Sequence, residues 1–182
     1  MEDHLCPWWL AYTFDHKLRR IFHNPEKIVA PYLREGMTAM DIGCGMGFFS
    51  ISMAKIVGDT GSVIAVDLQQ KMLDNLEKRA QLAGVAERIV RYRCEPDNIG
   101  THQNVDFALT FWMVHEASNA QKLLNQIYAA LKPGGKYLLV EPRLHVSAAS
   151  FEETLDAAGQ AGFKMRETPK VALSRAVVFK KE

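Results

Sequence analysis

One stretch restricts this chain more than any other: Met40-Asp41-Ile42-Gly43-Cys44-Gly45-Met46-Gly47-Phe48-Phe49. The apolar run from Met37 to Ile42 leads into it and has the length and composition of a buried strand. Gly43, Gly45 and Gly47 then alternate. Phe48 to Val57 follows as a helix with Ile51, Met53, Ala54 and Val57 on its buried side. Strand, glycine loop and helix in that order let backbone approach a nucleotide closely, because glycine reaches positive φ and has no Cβ to hold a ligand off. The helix start adds free N–H groups and a partial positive charge.

The glycine spacing narrows the ligand. A dinucleotide fingerprint needs G-x-G-x-x-G, and here the third position falls on Phe48. A P-loop needs Lys-Ser or Lys-Thr after its glycines, and none follows. The order present is D-x-G-x-G-x-G. A second apolar run, Ser62 to Asp67, ends in an acid 20 residues beyond Gly47. An acid at the end of the second strand of a β-α-β unit is placed to accept hydrogen bonds from ribose hydroxyls. A turn aspartate capping the next helix is the plainer alternative.

The remaining pattern alternates strands and helices. Asn24-Pro25-Glu26 is a helix start, with Asn as cap and Pro at the first helical position. Gln69 to Ala83 is a helix with Met72, Leu73, Leu76 and Ala80 inward and Gly84 as its stop. Arg88 to Arg93 partly alternates Arg with apolar residues, which suits an edge strand with one wet face. Val105 to Trp112 is apolar enough to be central. The helix opened by Ser118-Asn119-Ala120 carries Leu123, Leu124, Ile127, Tyr128 and Leu131 as its stripe, and Lys132-Pro133-Gly134-Gly135 ends it. Lys136 to Pro142 is a fifth strand, followed by a helix around Phe151, Leu155 and Ala158. Phe163–Val171 and Ala172–Lys180 then read as a hairpin with a tight connection.

Residues 1–24 stand apart. Trp8, Trp9, Tyr12, Phe14 and Phe22 lie among His4, Cys6, His16, Lys17, Arg19, Arg20 and His23. Such a segment either packs its rings on the domain with a solvated basic face, or forms a lid over a ligand. His4 and Cys6 without further partners do not make a metal site, and no metal is expected.

With 182 residues the chain is the size of one domain. A net charge of +1 gives no electrostatic case for nucleic acid or an anionic membrane. Cys6, Cys44 and Cys94 are widely spaced, without C-x-x-C or a zinc pattern. No apolar run reaches membrane-spanning length, and the N-terminus lacks a basic region before an apolar one. A cytoplasmic protein is the expectation. Its oligomeric state is not legible.

The segment 41–47, Asp67, Asp106 and the turn Leu131-Lys132-Pro133-Gly134-Gly135-Lys136 together resemble the class I S-adenosylmethionine (SAM) dependent methyltransferases over about residues 25–182. The small, ubiquinone-biosynthesis-like (type 11) group is nearest. The resemblance implies a Rossmann-like α/β three-layer sandwich. Its seven-stranded, mostly parallel sheet has order 3-2-1-4-5-7-6, with strand seven antiparallel and helices on both faces. It implies SAM as cofactor, S-adenosylhomocysteine as product and a small-molecule acceptor. By position, Gly43, Cys44, Gly45 and Gly47 pass the methionine part of SAM, and Asp41 orders that loop. Asp67 binds the ribose. Leu68 and Met72 flank adenine, Glu95 and Pro96 lie by its amino group, and Phe111 lies near the methylthio end. Many members have Gly-Asp where this chain has Cys94-Glu95; Glu can still accept that hydrogen bond.

A sulfonium carries its own activated methyl, so the protein mainly aligns an acceptor and excludes water. A base is needed only where the acceptor must lose a proton. His115 is the first candidate and Glu141 the second, both at the carboxyl ends of strands, where ligands sit in open α/β sheets. No Asn-Pro-Pro-Tyr follows the fourth strand, which disfavours amide or adenine N-methylation of that type. The cysteines show no thiolate cluster for arsenite. The alternatives are a SAM-binding sensor or complex subunit without transferase activity, a methyltransferase acting on a protein, and a nicotinamide oxidoreductase, against which the missing glycine argues.

Overall fold

The computed structural model describes residues 22–100 and 104–182. The expectations for His4, Cys6, Trp8, Trp9, Tyr12, Phe14, His16, Lys17, Arg19 and Arg20 lie outside the described residues. Helix α1 is Pro25–Val29, and Asn24 caps it by accepting the Lys27 N–H at 3.0 Å. Strand β1 is Thr38–Ile42, helix α2 Ser50–Val57, β2 Ser62–Asp67 and α3 Gln70–Leu82. Then come β3 (Ile89–Arg93), β4 (Val105–Phe111), α4 (Ala120–Ala130) and β5 (Leu131–Pro142). Helix α5 (Ala148–Gln160) and strands β6 (Lys164–Glu167) and β7 (Ser174–Lys180) complete the chain.

The strands form one sheet of order β3-β2-β1-β4-β5-β7-β6. β7 is antiparallel to both β5 and β6, and the pairs from β3 to β5 are parallel. The cause is visible in the strand interiors. Side chains alternate across a strand, so a sheet covered on both faces must be apolar at every position. In β4, Phe107 and Leu109 enter one core with Met53, Val57, Leu73 and Leu76, while Ala108 enters the other with Leu124 and Ile127. Leu138 and Leu139 divide in the same way, as do Val178 and Phe179. Helices α1 to α3 cover the first face, α4 and α5 the second.

Four local expectations are corrected. Phe48 and Phe49 are buried turn residues, and α2 begins only at Ser50. Leu131 is no part of the α4 stripe. It is the first residue of β5, paired with Val105, and the register then jumps to Phe107 with Lys136. Residues 132–135 loop out, and a Cβ on Gly135 would stand 2.9 Å from the Lys132 carbonyl. The β6–β7 connection is six residues, 168–173, rather than a tight turn. β3 is an edge strand, as its pattern suggested, but Val90 and Tyr92 are exposed together with its arginines.

Asp106 serves this frame. Its Oδ2 accepts the Thr38 N–H at 2.9 Å and its Oδ1 pairs with Lys132 Nζ at 2.7 Å. The start of β1, the start of β4 and the irregular first part of β5 are thereby tied on the amino side of the sheet, away from the carboxyl ends.

Candidate functional site at the carboxyl edge of the sheet

The glycine loop leaves β1 at the centre of the sheet. The Gly43 and Cys44 N–H groups both donate to the Val66 carbonyl, at 2.9 and 3.0 Å, which bends the chain across the end of β2. Gly43, Gly45 and Gly47 all have positive φ, at 72°, 53° and 82°. They differ in what surrounds them. A Cβ on Gly47 would come 1.9 Å from Leu76 Cδ1, so this glycine lets the loop lie on α3. A Cβ on Gly45 would meet nothing within 4 Å. Gly45 therefore presents bare backbone to open space at the head of the strands, as a closely approached nucleotide requires. Asp41, buried in β1, accepts the Ser50 hydroxyl at 2.6 Å and fixes the start of α2 to the strand.

Asp67 ends β2 and faces the loop. Its Oδ2 accepts the Gly45 N–H at 2.9 Å, and its Oδ1 accepts the Gln69 N–H at 2.9 Å. Burial raises its pKa above the usual 3.8, against the opposing pull of these backbone donors. Each oxygen retains lone-pair capacity beyond its backbone bond. The carboxylate so held fits a ribose diol beside Gly45, and the site fits the adenosyl group on that ground. Leu68 is half-buried and Met72 buried on the first turn of α3. Cys94 continues from β3 and donates its N–H to the Asp67 carbonyl. Glu95 and Pro96 are exposed in a turn closed by paired Glu95–Asn98 backbone hydrogen bonds. Burial pushes the Cys44 thiol well up and the Cys94 thiol up to about 11. Neither is a thiolate near neutral pH, so the loop carries no cysteine nucleophile.

Phe111, at the end of β4, lies beside this loop. Its ring centroid is 4.5 Å from that of Phe49 and 5.5 Å from that of Trp112. His23 packs edge-on to both Phe111 and Trp112, and its Nε2 lies 2.8 Å from the Ala172 carbonyl. The end of the N-terminal segment thus reaches the carboxyl edge of the sheet. Trp112 has φ 61° and donates its indole N–H to Ser174 Oγ at 2.9 Å.

The two proposed proton-handling residues form one unit. β4 is followed by a single helical turn, Val114–Glu116, and Glu141 is the penultimate residue of β5 next to it. Glu141 Oε1 accepts the Val114 N–H at 3.1 Å, and Oε2 accepts the His115 N–H at 3.3 Å. His115 Nδ1 lies 2.7 Å from the same Oε2. A carboxylate already taking two N–H bonds acts as acceptor, so the ring proton sits on Nδ1 and Nε2 carries the lone pair. The Glu141 side chain is 2% exposed and that of His115 28%, so His115 alone of the pair is open to a substrate. The hydrogen bond to Glu141 raises the imidazole above its ordinary 6.5, and burial only partly offsets it. Sequence reasoning chose both residues but missed their contact, and it assigned nothing to Ser174 or Ala172. Only the β4–β5–β7 adjacency brings these together.

A mostly parallel sheet of this order, with a glycine loop after β1 and an acid ending β2, defines the class I methyltransferase fold. The chain matches the methyltransferase domain family over residues 33–173, and it belongs to that family. Among curated relatives, it is 32% identical over 110 residues to the demethylmenaquinone methyltransferase of Lactobacillus johnsonii, covering 60% of this chain and 45% of that protein. It is 28% identical over 110 residues to the ubiquinone/menaquinone biosynthesis C-methyltransferase UbiE of Haemophilus ducreyi, covering 60% and 42%. The chain thus spans under half the length of these relatives. Among solved structures, a SAM-dependent methyltransferase from Aquifex aeolicus superposes with a TM-score of 0.88 at 23% identity, covering 98% of this chain and 100% of that one. At that identity the likeness is one of fold.

Proposed function

We propose that the protein is a SAM-dependent methyltransferase acting on a small-molecule acceptor. The observation that carries this reading is the Gly45–Asp67 pair: open backbone with a carboxylate held beside it at the head of β1 and β2. Family membership and the named activities of the relatives support it. When bound, the cofactor supplies an electrophilic methyl on sulfur. The chain's own residues would hold the ribose through Asp67 and the nucleoside between Leu68 and Met72. Glu95 and Pro96 would face the adenine amino group, and Phe111 the methylthio end. His115 accepts the acceptor's proton at Nε2. Glu141, buried behind it, fixes the ring and stabilises the imidazolium that forms.

An aromatic acceptor suits Phe111 and Trp112, and a quinol-like ring agrees with the names of the relatives. At the described end of the N-terminal segment, His23 covers part of this edge through its contacts with Phe111, Trp112 and Ala172. Nucleic acid and membrane are not partners in this reading, and a cytoplasmic setting belongs to it.

The test is transfer of labelled methyl from SAM across a panel of phenols, quinols and small acids. Transfer to at least one, lost in His115→Ala while SAM binding persists, is expected. Binding of SAM with no transfer across the panel would favour a sensor or complex subunit.

A further inference from the structure

Beyond the dyad, the carboxyl edge continues into a cavity of about 770 Å³ between the first half of α5 and the 168–173 connection. Its volume lies within the usual range of small-molecule sites, roughly 300–1,000 Å³. Phe151, Leu155 and Val171 supply apolar lining, and Arg143, Lys170 and Arg175 also line it. Two of these cations are anchored from the side. Arg143 donates Nε to the Ser174 carbonyl at 2.9 Å, and its backbone N–H donates to Leu173. Arg175 donates Nη1 to the Val146 carbonyl at 2.8 Å. Among the described residues, none of the three meets a carboxylate in an ion pair. Glu152 is the one acid among the described residues that lines the cavity, against three cations.

Unmatched cations around an apolar hollow are what an amphipathic anion requires, and Arg favours planar carboxylates and phosphates. The hollow lies next to the dyad: Ser174, which lines it, accepts the Trp112 indole N–H. Glu141 is the register partner of Arg175, so both side chains lie on one face of the sheet. Arg143 follows Glu141 by two residues.

We infer that this cavity seats the acceptor's anionic end: the acceptor is a small acid with an apolar ring or chain, its carboxylate or phosphate held by Arg143, Lys170 and Arg175. The inference rests on the methyltransferase reading for the word acceptor, but the cavity's preference for anions is measurable without any turnover.

The experiment is calorimetric titration of the full chain with 1-naphthaleneacetate and with its neutral amide, in wild type, Arg143→Gln and Lys170→Gln. The acid should bind about tenfold tighter than the amide. Each variant should lose most of that preference. Lys170 makes no hydrogen bond or ion pair among the described residues, so its variant keeps the melting temperature and guards against misfolding. Equal binding of acid and amide, no saturable binding, or a preference that both variants retain would overturn the inference. So would recruitment to phosphatidylglycerol vesicles without probe binding, which would assign the cations to a lipid surface. SAM titrated into the same samples separates the two failures. SAM binding without acid preference sinks this inference alone; acid preference without SAM binding sinks the methyltransferase reading and leaves the site.

Discussion

His115 Nδ1 lies 2.7 Å from Glu141 Oε2, although the two residues are 26 apart in sequence. One buried carboxylate thereby sets the tautomer, the orientation and the charge preference of the one titratable ring that β4 delivers to the carboxyl edge. This pairing makes a pH dependence the first expected outcome. The base form of His115 accumulates only above its raised pKa, which lies above 6.5. Methyl transfer should fall on the acid side of that value, and Glu141→Gln should move the limb to lower pH, since the cause of the upward shift is removed. NMR titration of the His115 ring checks the assignment directly.

The same shift affects stability with a definite sign. A folded pKa raised above the unfolded one gives stability that is whole below pH 6.5 and lost as pH rises through the folded value. Urea unfolding of the wild type across that window should show this slope, and His115→Gln should flatten it. A slope unchanged in the variant would assign it to another group.

Gly45 and Gly47 should fail in different ways when changed to Ala. At Gly47 the new methyl collides with Leu76, a fully buried side chain, on top of a φ of 82°. At Gly45 only the positive φ is costly, about 1–2 kcal/mol, because nothing stands within 4 Å. Thermal melts should therefore rank Gly47→Ala below Gly45→Ala. SAM titration should show Gly45→Ala weakened well beyond its loss of stability, as its methyl would stand in the open space where the proposed site receives the cofactor.

Asp106 belongs to the frame and not to the site. Asp106→Ala leaves the Thr38 N–H and Lys132 Nζ without their acceptor. An orphaned donor costs about 1–3 kcal/mol, while the half-exposed lysine adds little. Denaturation should record that loss, and SAM affinity in the folded protein should be unchanged.

The parts that were legible in sequence are those in which local chemistry decides. The bounds of β2, Ser62–Asp67, agree with the sequence reading because an apolar run stops at a carboxylate. Asn24 caps α1 because its side chain can take the Lys27 N–H, whatever the fold. Leu131 was misassigned because an apolar residue one turn after Ile127 fits a helical stripe as well as a strand, and only pairing with Val105 decides. The sheet order came from the family resemblance, since no strand's composition names its neighbour. The His115–Glu141 contact, the link from Trp112 to Ser174 and the basic hollow beside α5 depend on that order. They could not be read from spacing.

The account rests on the Gly45–Asp67 cradle as a SAM site, and calorimetric titration of SAM into wild type and Asp67→Ala tests this most directly. Asp67 holds the loop through Gly45, and hydrogen bonds to a charged group contribute about 1.5–3 kcal/mol each. The account predicts saturable binding of SAM and S-adenosylhomocysteine by the wild type, weakened by at least about tenfold in the variant, with no binding of NADH. Equal SAM affinity in the two proteins, or binding of NADH in place of SAM, would contradict it.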